Sequence, residues 1–220
     1  MELSDGIRTR QSVRGFKSTA IPEATLRQVL ELARCSPSYT NTQPWELSVV
    51  SGAMRDQLGR KLYELAEAGV PSRSDVAIPA QWPLTQQTRT AEHQARRFAV
   101  LGIARDDSVG RNNLRLLNYQ FFGAPCVLLL WLDRTLSEWS TFDLGLFTQT
   151  LSLAAHGHGL GTCLQASLTH YPDVVRELLG VAPDKRLMLG LSIGYPDPTA
   201  KLNSYRSARV EVDEFARWHS

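Results

Sequence analysis

The sequence has few cysteines, and they are scattered. Cys35, Cys126 and Cys163 are the three cysteines among 220 residues, and no two form a CxxC pair. An odd, dispersed set of this kind excludes a disulfide framework and lacks the spacing of zinc ligands. We therefore expect reduced thiols in apolar surroundings and no metal site.

Long apolar runs and a large excess of one charge are also missing. The longest apolar stretches, such as Val127 to Leu132, are far shorter than the roughly 20 residues that span a bilayer. The opening MELSDGIRTR has no apolar core of a signal peptide, so a cytoplasmic protein is expected. A formal net charge of +2 gives no reason to expect a nucleic-acid or membrane partner.

The chain is long enough for one domain, which we expect to cover residues 1–220. Helical periodicity dominates, and about four apolar segments, among them Val127–Leu132 and Leu187–Ile193, indicate strands. Strands and helices do not alternate strictly, which favours the α+β class. Asp143 is expected to cap a long helix, and residues 69–83 lack a period and suggest an irregular excursion or lid.

Three polar segments stand out from this framework. They are Arg10-Gln11-Ser12-Val13-Arg14, the loop Ser36-Pro37-Ser38-Tyr39-Thr40-Asn41-Thr42-Gln43-Pro44-Trp45, and the tail Asn203-Ser204-Tyr205-Arg206-Ser207-Ala208-Arg209. Paired arginines can hold a phosphate through charge-assisted hydrogen bonds. Each segment alone is also compatible with a solvated basic face or a structural turn. If the fold joins the two chain ends, four arginines converge where one anion could bind.

Taken together, these segments resemble the nitroreductase family of flavoenzymes. The family has an RxSxR motif after its first helix, a PSxxNxQPW loop after its second, a GYP turn and a late arginine. The chain has them in the same order, with Gly194-Tyr195-Pro196 as the turn and Arg206 or Arg209 as the late arginine. The turn Gly159-Leu160-Gly161-Thr162-Cys163 is similar to the one that precedes the flavin-contacting strand. Read alone, its glycines only terminate a helix, because a dinucleotide fingerprint runs from strand to helix.

The resemblance implies a fold, a cofactor and a set of ligands. The expected fold is a mainly antiparallel central sheet flanked by helices in an intertwined homodimer, with a tail from about residue 196 to 220 wrapping the partner subunit. FMN would bind at the interface, with Arg10 and Arg209 on the phosphate, Ser12 on the phosphate or ribityl chain, and Arg14 near the N1/O2 edge. Backbone donors around Gln165 and Ala166 would face N5 and O4 of the flavin. The partner's loop would contribute Pro37, Ser38, Tyr39, Asn41 and Gln43, and Gln11 and Arg206 complete the set.

The implied activity is ping-pong transfer of hydride from NAD(P)H, through the flavin, to a nitroaromatic or quinone, with no catalytic side chain. Tyr39, Trp82, Phe121 and Phe122 are candidates to line the substrate pocket, although the last two could be core aromatics. Tyr39 and Thr40 stand where many relatives have small residues. Ene reduction, dehalogenation, flavin destruction and a flavin-binding role without turnover therefore stay open.

Overall fold

The computed structural model describes residues 2–220 as a four-stranded sheet with helices on both faces. The helices are α1 Leu3–Thr9, α2 Glu23–Ala33, α3 Gly52–Glu67, α4 Leu84–Leu101, α5 Ser108–Leu116, α6 Glu138–Gly157, α7 Pro172–Leu179 and α8 Val212–Phe215. The strands are β1 Glu46–Ser51, β2 Cys126–Asp133, β3 Gly161–Gln165 and β4 Lys185–Gly194. No helix of this part of the chain is long and apolar enough to cross a membrane.

The sheet is antiparallel throughout, in the order β1-β2-β4-β3. Strand β2 is central and apolar at nearly every position, because both of its faces are covered. Successive side chains point to opposite faces, so Leu129 joins α3 and α7 on one side. Leu128 and Leu130 join α2 and α6 on the other. The expected α+β class and mainly antiparallel sheet are confirmed.

Asp143 does not cap α6, contrary to the sequence prediction. The helix begins five residues earlier, at Glu138, and Asp143 lies in its second turn with a side chain only 2% exposed. Both carboxylate oxygens accept the N–H of Tyr39 at 3.1 Å. Asp143 therefore caps the 3-10 turn Tyr39–Asn41, which is distant in sequence, and a local pattern could not reveal that partner.

The irregular segment 69–83 is held firmly at its start. The N–H of Arg73 donates to the carbonyl of His170 at 2.9 Å. Asp75 accepts hydrogen bonds from Arg134, Arg176 and the N–H of Leu187. Burial acts to raise the pKa of Asp75, but these hydrogen bonds outweigh it and hold the pKa below its ordinary value. Helix α4 follows and buries no residue fully, so it lies on the outside of the molecule.

The cysteines only partly match the expectation of apolar surroundings. Cys126 and Cys163 are buried, and burial raises the pKa of Cys126 to about 11. Cys35 is exposed just after α2, which corrects the prediction for that residue. All three are free thiols.

Candidate functional site

The N-terminal arginine motif runs along the free edge of β3. After α1 ends at Thr9, Ser12 pairs with Thr162, and the N–H of Val13 donates to the carbonyl of Thr162 at 2.9 Å. Neighbours in an extended segment point to opposite sides. Val13 is accordingly buried in the core, while Ser12 and Arg14 face an adjoining cavity.

Asn203 ties the tail to this motif. Its Oδ1 accepts the N–H of Arg14 at 2.7 Å, and its Nδ2 donates to the carbonyls of Gly15 at 2.8 Å and Asp197 at 2.9 Å. The approach is close, because a Cβ at Gly15 would lie 2.3 Å from the Cβ of Ala200. Only a glycine at position 15 lets the two chain ends pack at this distance.

The joined chain ends enclose a cavity of about 540 Å³ that we call the arginine basin. No aspartate or glutamate lines it within residues 2–220. The arginine and histidine side chains that line it are Arg8, Arg10, Arg14, His93, Arg206 and Arg209. The predicted convergence of arginines from both ends of the chain is present in the structure.

Burial and neighbouring positive charges lower the pKa values of side chains that line the basin. Burial, and secondly the charge of Arg209, lower the pKa of Arg10. Burial also lowers the pKa of His93, with further contributions from Arg97, Arg14 and Arg209. Because no carboxylate offsets these cations, an anion such as a phosphate would be bound favourably there.

A smaller cavity of about 270 Å³ adjoins the basin and shares Arg10, Gln11 and Arg206 with it. Its wall includes Thr162 and the turn that begins at Gly159. The Oε1 of Gln11 and the Oγ1 of Thr162 are buried without a hydrogen-bond partner. Buried polar atoms in folded proteins are normally paired, so these two point to a polar ligand.

Strand β3 has one open edge, and the backbone N–H and C=O groups of every second residue point towards it. The carbonyl of Thr162 faces that edge, so Leu164 does as well, whereas Gln165 faces its partner Gly190 in β4. The side chain of Gln165 is also engaged, donating to the carbonyl of Asn118 at 2.9 Å and accepting from the hydroxyl of Ser192. Its side chain is thus not free for a ligand, and a 3-10 turn begins at the next residue, Ala166.

The loop of residues 36–45 lies away from both cavities. Pro37, Ser38, Tyr39, Asn41 and Gln43 line neither cavity. Ser38 accepts the N–H of Gln43 at 2.9 Å, so the loop closes on itself. Its anchor Asp143 is on the same helix as His156, which lines the smaller cavity, and the two are about 20 Å apart at about 1.5 Å per residue. One chain therefore does not bring the loop to the arginines.

The candidate pocket aromatics divide into two groups. Tyr39 and Trp82 are substantially exposed. Phe121 and Phe122 belong to the buried core, and the edge of Phe121 lies so close to α3 that a Cβ at Gly59 would be 2.9 Å from it. These two phenylalanines are therefore core residues, and they border a surface hollow beside Arg55 that shares no lining residue with the basin.

Three residues near the basin were not singled out from the sequence. Asn203 was noted only as part of the tail, and its bridging role depends on a fold contact 189 positions away. His93 and Arg97 lie one helical turn apart on α4, and the hydroxyl of Tyr205 is 3.0 Å from Nδ1 of His93. Four-residue spacing of basic side chains on a helix is the only local signal, and it is common on solvated faces.

Comparison with known proteins now decides the family. The model of the "Nitroreductase family" matches residues 7–195. This chain belongs to the nitroreductase family. A nitroreductase from Mycolicibacterium smegmatis, NfnB, is 40% identical over 215 residues, covering 96% of this chain and 90% of the relative. The 4-nitrobenzoate reductase of Pseudomonas putida is 31% identical, over 96% and 93% of the two chains.

The fold comparison agrees with the family assignment. The crystal structure of the FMN-dependent nitroreductase NfnB from Mycobacterium smegmatis, in complex with NADPH, is similar with a TM-score of 0.94. It is 36% identical and covers 99% of this chain and 97% of its own. The nitroreductase fold expected from the motifs is confirmed.

Proposed function

We propose that this nitroreductase-family protein is an FMN-dependent enzyme that uses NADPH to reduce nitroaromatic compounds. The observation that carries the proposal is the arginine basin, which lies beside the open edge of β3 and has no carboxylate in its lining. Full-length similarity to FMN- and NADPH-dependent nitroreductases and to a nitrobenzoate reductase supports the reaction class.

The residues fit FMN. Its phosphate matches Arg10 and Arg209, whose guanidinium groups can form charge-assisted hydrogen bonds with it. The unpartnered oxygen of Gln11 and hydroxyl of Thr162 suit the polar part of the cofactor. Arg206 and Ser12 line the same space. We assign the phosphate and ribityl chain to these residues and the ring system to the edge formed by Leu164 and Ala166.

FMN, when bound, supplies the two-electron chemistry between NADPH and the acceptor, and the protein supplies binding and electrostatics. Arg14 would hold the flavin edge where negative charge accumulates on reduction, and a fixed cation stabilises that charge. No protein nucleophile or general base is needed. Trp82 and Tyr39 are the proposed aromatic residues of the acceptor pocket.

We propose that the site is completed by a second copy of the chain. The outer face of α6 carries the apolar side chains Trp139 and Phe142, more than half exposed, followed by Leu146 one turn later. An apolar stripe of this kind on a central helix is typical of a protein interface. The partner's loop would bring Pro37, Ser38, Tyr39, Asn41 and Gln43 to the flavin. The tail from residue 196 onward packs on its own chain through Asn203, Tyr205 and Glu214, so only its outer surface would contact the partner.

The experiment begins with the purified protein and its bound flavin. We expect a yellow protein with one FMN per chain, which NADPH bleaches without air and which 4-nitrobenzoate reoxidises. Retention of yellow colour after NADPH addition would leave only a flavin-binding role. Bleaching followed by reoxidation with enones or quinones, but not with nitroaromatics, would contradict the proposed acceptor class.

A further inference from the structure

One face of α6 carries three side chains that contact the loop of residues 38–45. Trp139, Asp143 and Phe147 follow each other at four-residue spacing, which places them in one row along the helix. The ring of Trp139 stacks on Tyr39 with centroids 5.6 Å apart, and Phe147 stacks on Trp45 at 4.7 Å. We call these three side chains the α6 row. It holds the loop at both of its ends.

The middle member of the row is a buried carboxylate with a single role. Asp143 is 2% exposed, and no cation lies within ion-pair distance of it among residues 2–220. Burying a charge is unfavourable unless hydrogen bonds compensate for it. The N–H of Tyr39 provides that compensation. A leucine of similar size would pack in this place without the charge, so the carboxylate serves the loop and not the core.

The loop needs such support because its backbone is strained. Thr40, Asn41 and Gln43 have φ values of 50°, 58° and 46°, in the left-handed region that residues other than glycine rarely adopt. Such conformations persist only where the surroundings enforce them, and they are common at functional sites. The α6 row contacts Tyr39, directly before the strained residues, and Trp45, two positions after them.

We propose that Asp143 is a positioning residue of the cofactor site. By holding the N–H of Tyr39 it keeps residues 38–43 in the strained shape that meets the flavin bound by the partner subunit. The same helix carries the exposed Phe142 of the proposed interface, so one element sets both the subunit contact and the loop. This inference rests on the proposed function, because the loop acts in trans only if two chains share the FMN sites.

The test compares three variants on α6 of the full-length protein. Asp143→Leu removes both acceptor oxygens, and Asp143→Asn keeps one. Thr148→Val is the matched control, since this buried residue of the same helix bonds only to its own helix, at the carbonyl of Leu144. The readouts are deuterium uptake of the peptide covering residues 36–45 and the dissociation constant for FMN added to apoprotein.

We expect faster exchange in the loop of Asp143→Leu and FMN binding weakened about tenfold to a hundredfold, the effect of losing a charged hydrogen bond. Asp143→Asn recovers most of the affinity, and Thr148→Val leaves both readouts unchanged. If Asp143→Leu fails to fold, Asp143→Ala, which also removes both acceptor oxygens but adds no bulk, carries the test with the same two measurements. Unchanged loop exchange and FMN affinity in the Asp143 variants would overturn the positioning role.

Mixed dimers separate this inference from the proposed function. A chain with Asp143→Leu has intact arginines and a faulty loop, whereas a chain with Arg10→Ala has the reverse. Their mixed dimer should regain one tight FMN site per two chains, because one site receives both intact parts. No regained site, although unmodified protein binds FMN, would refute action in trans. Failure of the unmodified protein itself to bind FMN would refute the proposed function instead.

Discussion

Replacing Asn203 by alanine should loosen the junction between the two chain ends. The change removes three hydrogen bonds, to Arg14, Gly15 and Asp197, at 2.7–2.9 Å. At about 1 kcal/mol for each bond, and with water able to replace part of them at this half-buried position, we expect a loss of about 2–3 kcal/mol in the free energy of unfolding. FMN affinity should fall as well, because the tail arginines would no longer be held against the N-terminal motif.

The assay is urea unfolding of the apoprotein, followed by FMN titration. Asn203→Asp is an informative companion variant of equal size, because its carboxylate would accept from Arg14 but face the carbonyls of Gly15 and Asp197. It should be destabilised at least as much as the alanine variant. Asn113→Ala, at an exposed position on α5, is the control and should change stability by less than about 0.5 kcal/mol. An Asn203→Ala protein with unaltered stability and FMN affinity would refute the reasoning.

Three further predictions address electrostatics and assembly. Arg14→Met should keep the fold but slow flavin reduction in anaerobic stopped-flow traces. It should also lower the flavin midpoint potential, by about 30 mV for each 1.4 kcal/mol by which the reduced flavin loses stabilisation. Traces matching the unmodified protein would disprove the role. Asp75→Asn should cost about 2–4 kcal/mol at neutral pH, because the buried Arg176 loses its buried anion and keeps only the exposed Asp173. The pKa of Asp75 is lowered by folding, so its stabilisation is complete above the unfolded pKa and is lost on acidification. The stability gap between the variant and the unmodified protein should begin to narrow below about pH 4 in chemical denaturation and close once the pH has passed the lower folded pKa; a constant gap would contradict this. Phe142→Glu should turn the proposed dimer into a monomer in light scattering and abolish FMN binding, and a dimeric variant would contradict an interface at Phe142.

The sequence predicted the layered fold well, because that information is local. The apolar run around Val127–Leu132 is a central strand, and the glycines after α6 end a helix before β3. The observed β2 and β4 extend the predicted Val127–Leu132 and Leu187–Ile193 by only one or two residues at each end. Asp143 misled the helix assignment because aspartate favours helix starts, whereas here its partner is the backbone of Tyr39, about a hundred positions away.

The sequence identified the segments that form the site, but it did not show how these segments contact each other in space. The arginines at both chain ends were expected to meet, yet Asn203, which makes them meet, gave no separate signal in a polar tail. The contributions of His93 and Arg97 depend on where α4 packs, which local periodicity does not encode. Backbone donors around Gln165 and Ala166 stay a prediction, and nothing in the sequence indicated that the Gln165 side chain would be bound to Asn118 and Ser192.

The most direct measurement is the preference of the apoprotein for FMN over riboflavin, which differ only in the phosphate. Fluorescence titration should show much tighter binding of FMN to the unmodified protein. In the double variant Arg10→Ala and Arg209→Ala, FMN binding should weaken about a hundredfold or more, while riboflavin binding stays nearly unchanged. An equal preference for FMN in both proteins would contradict a phosphate site built from the two ends of the chain.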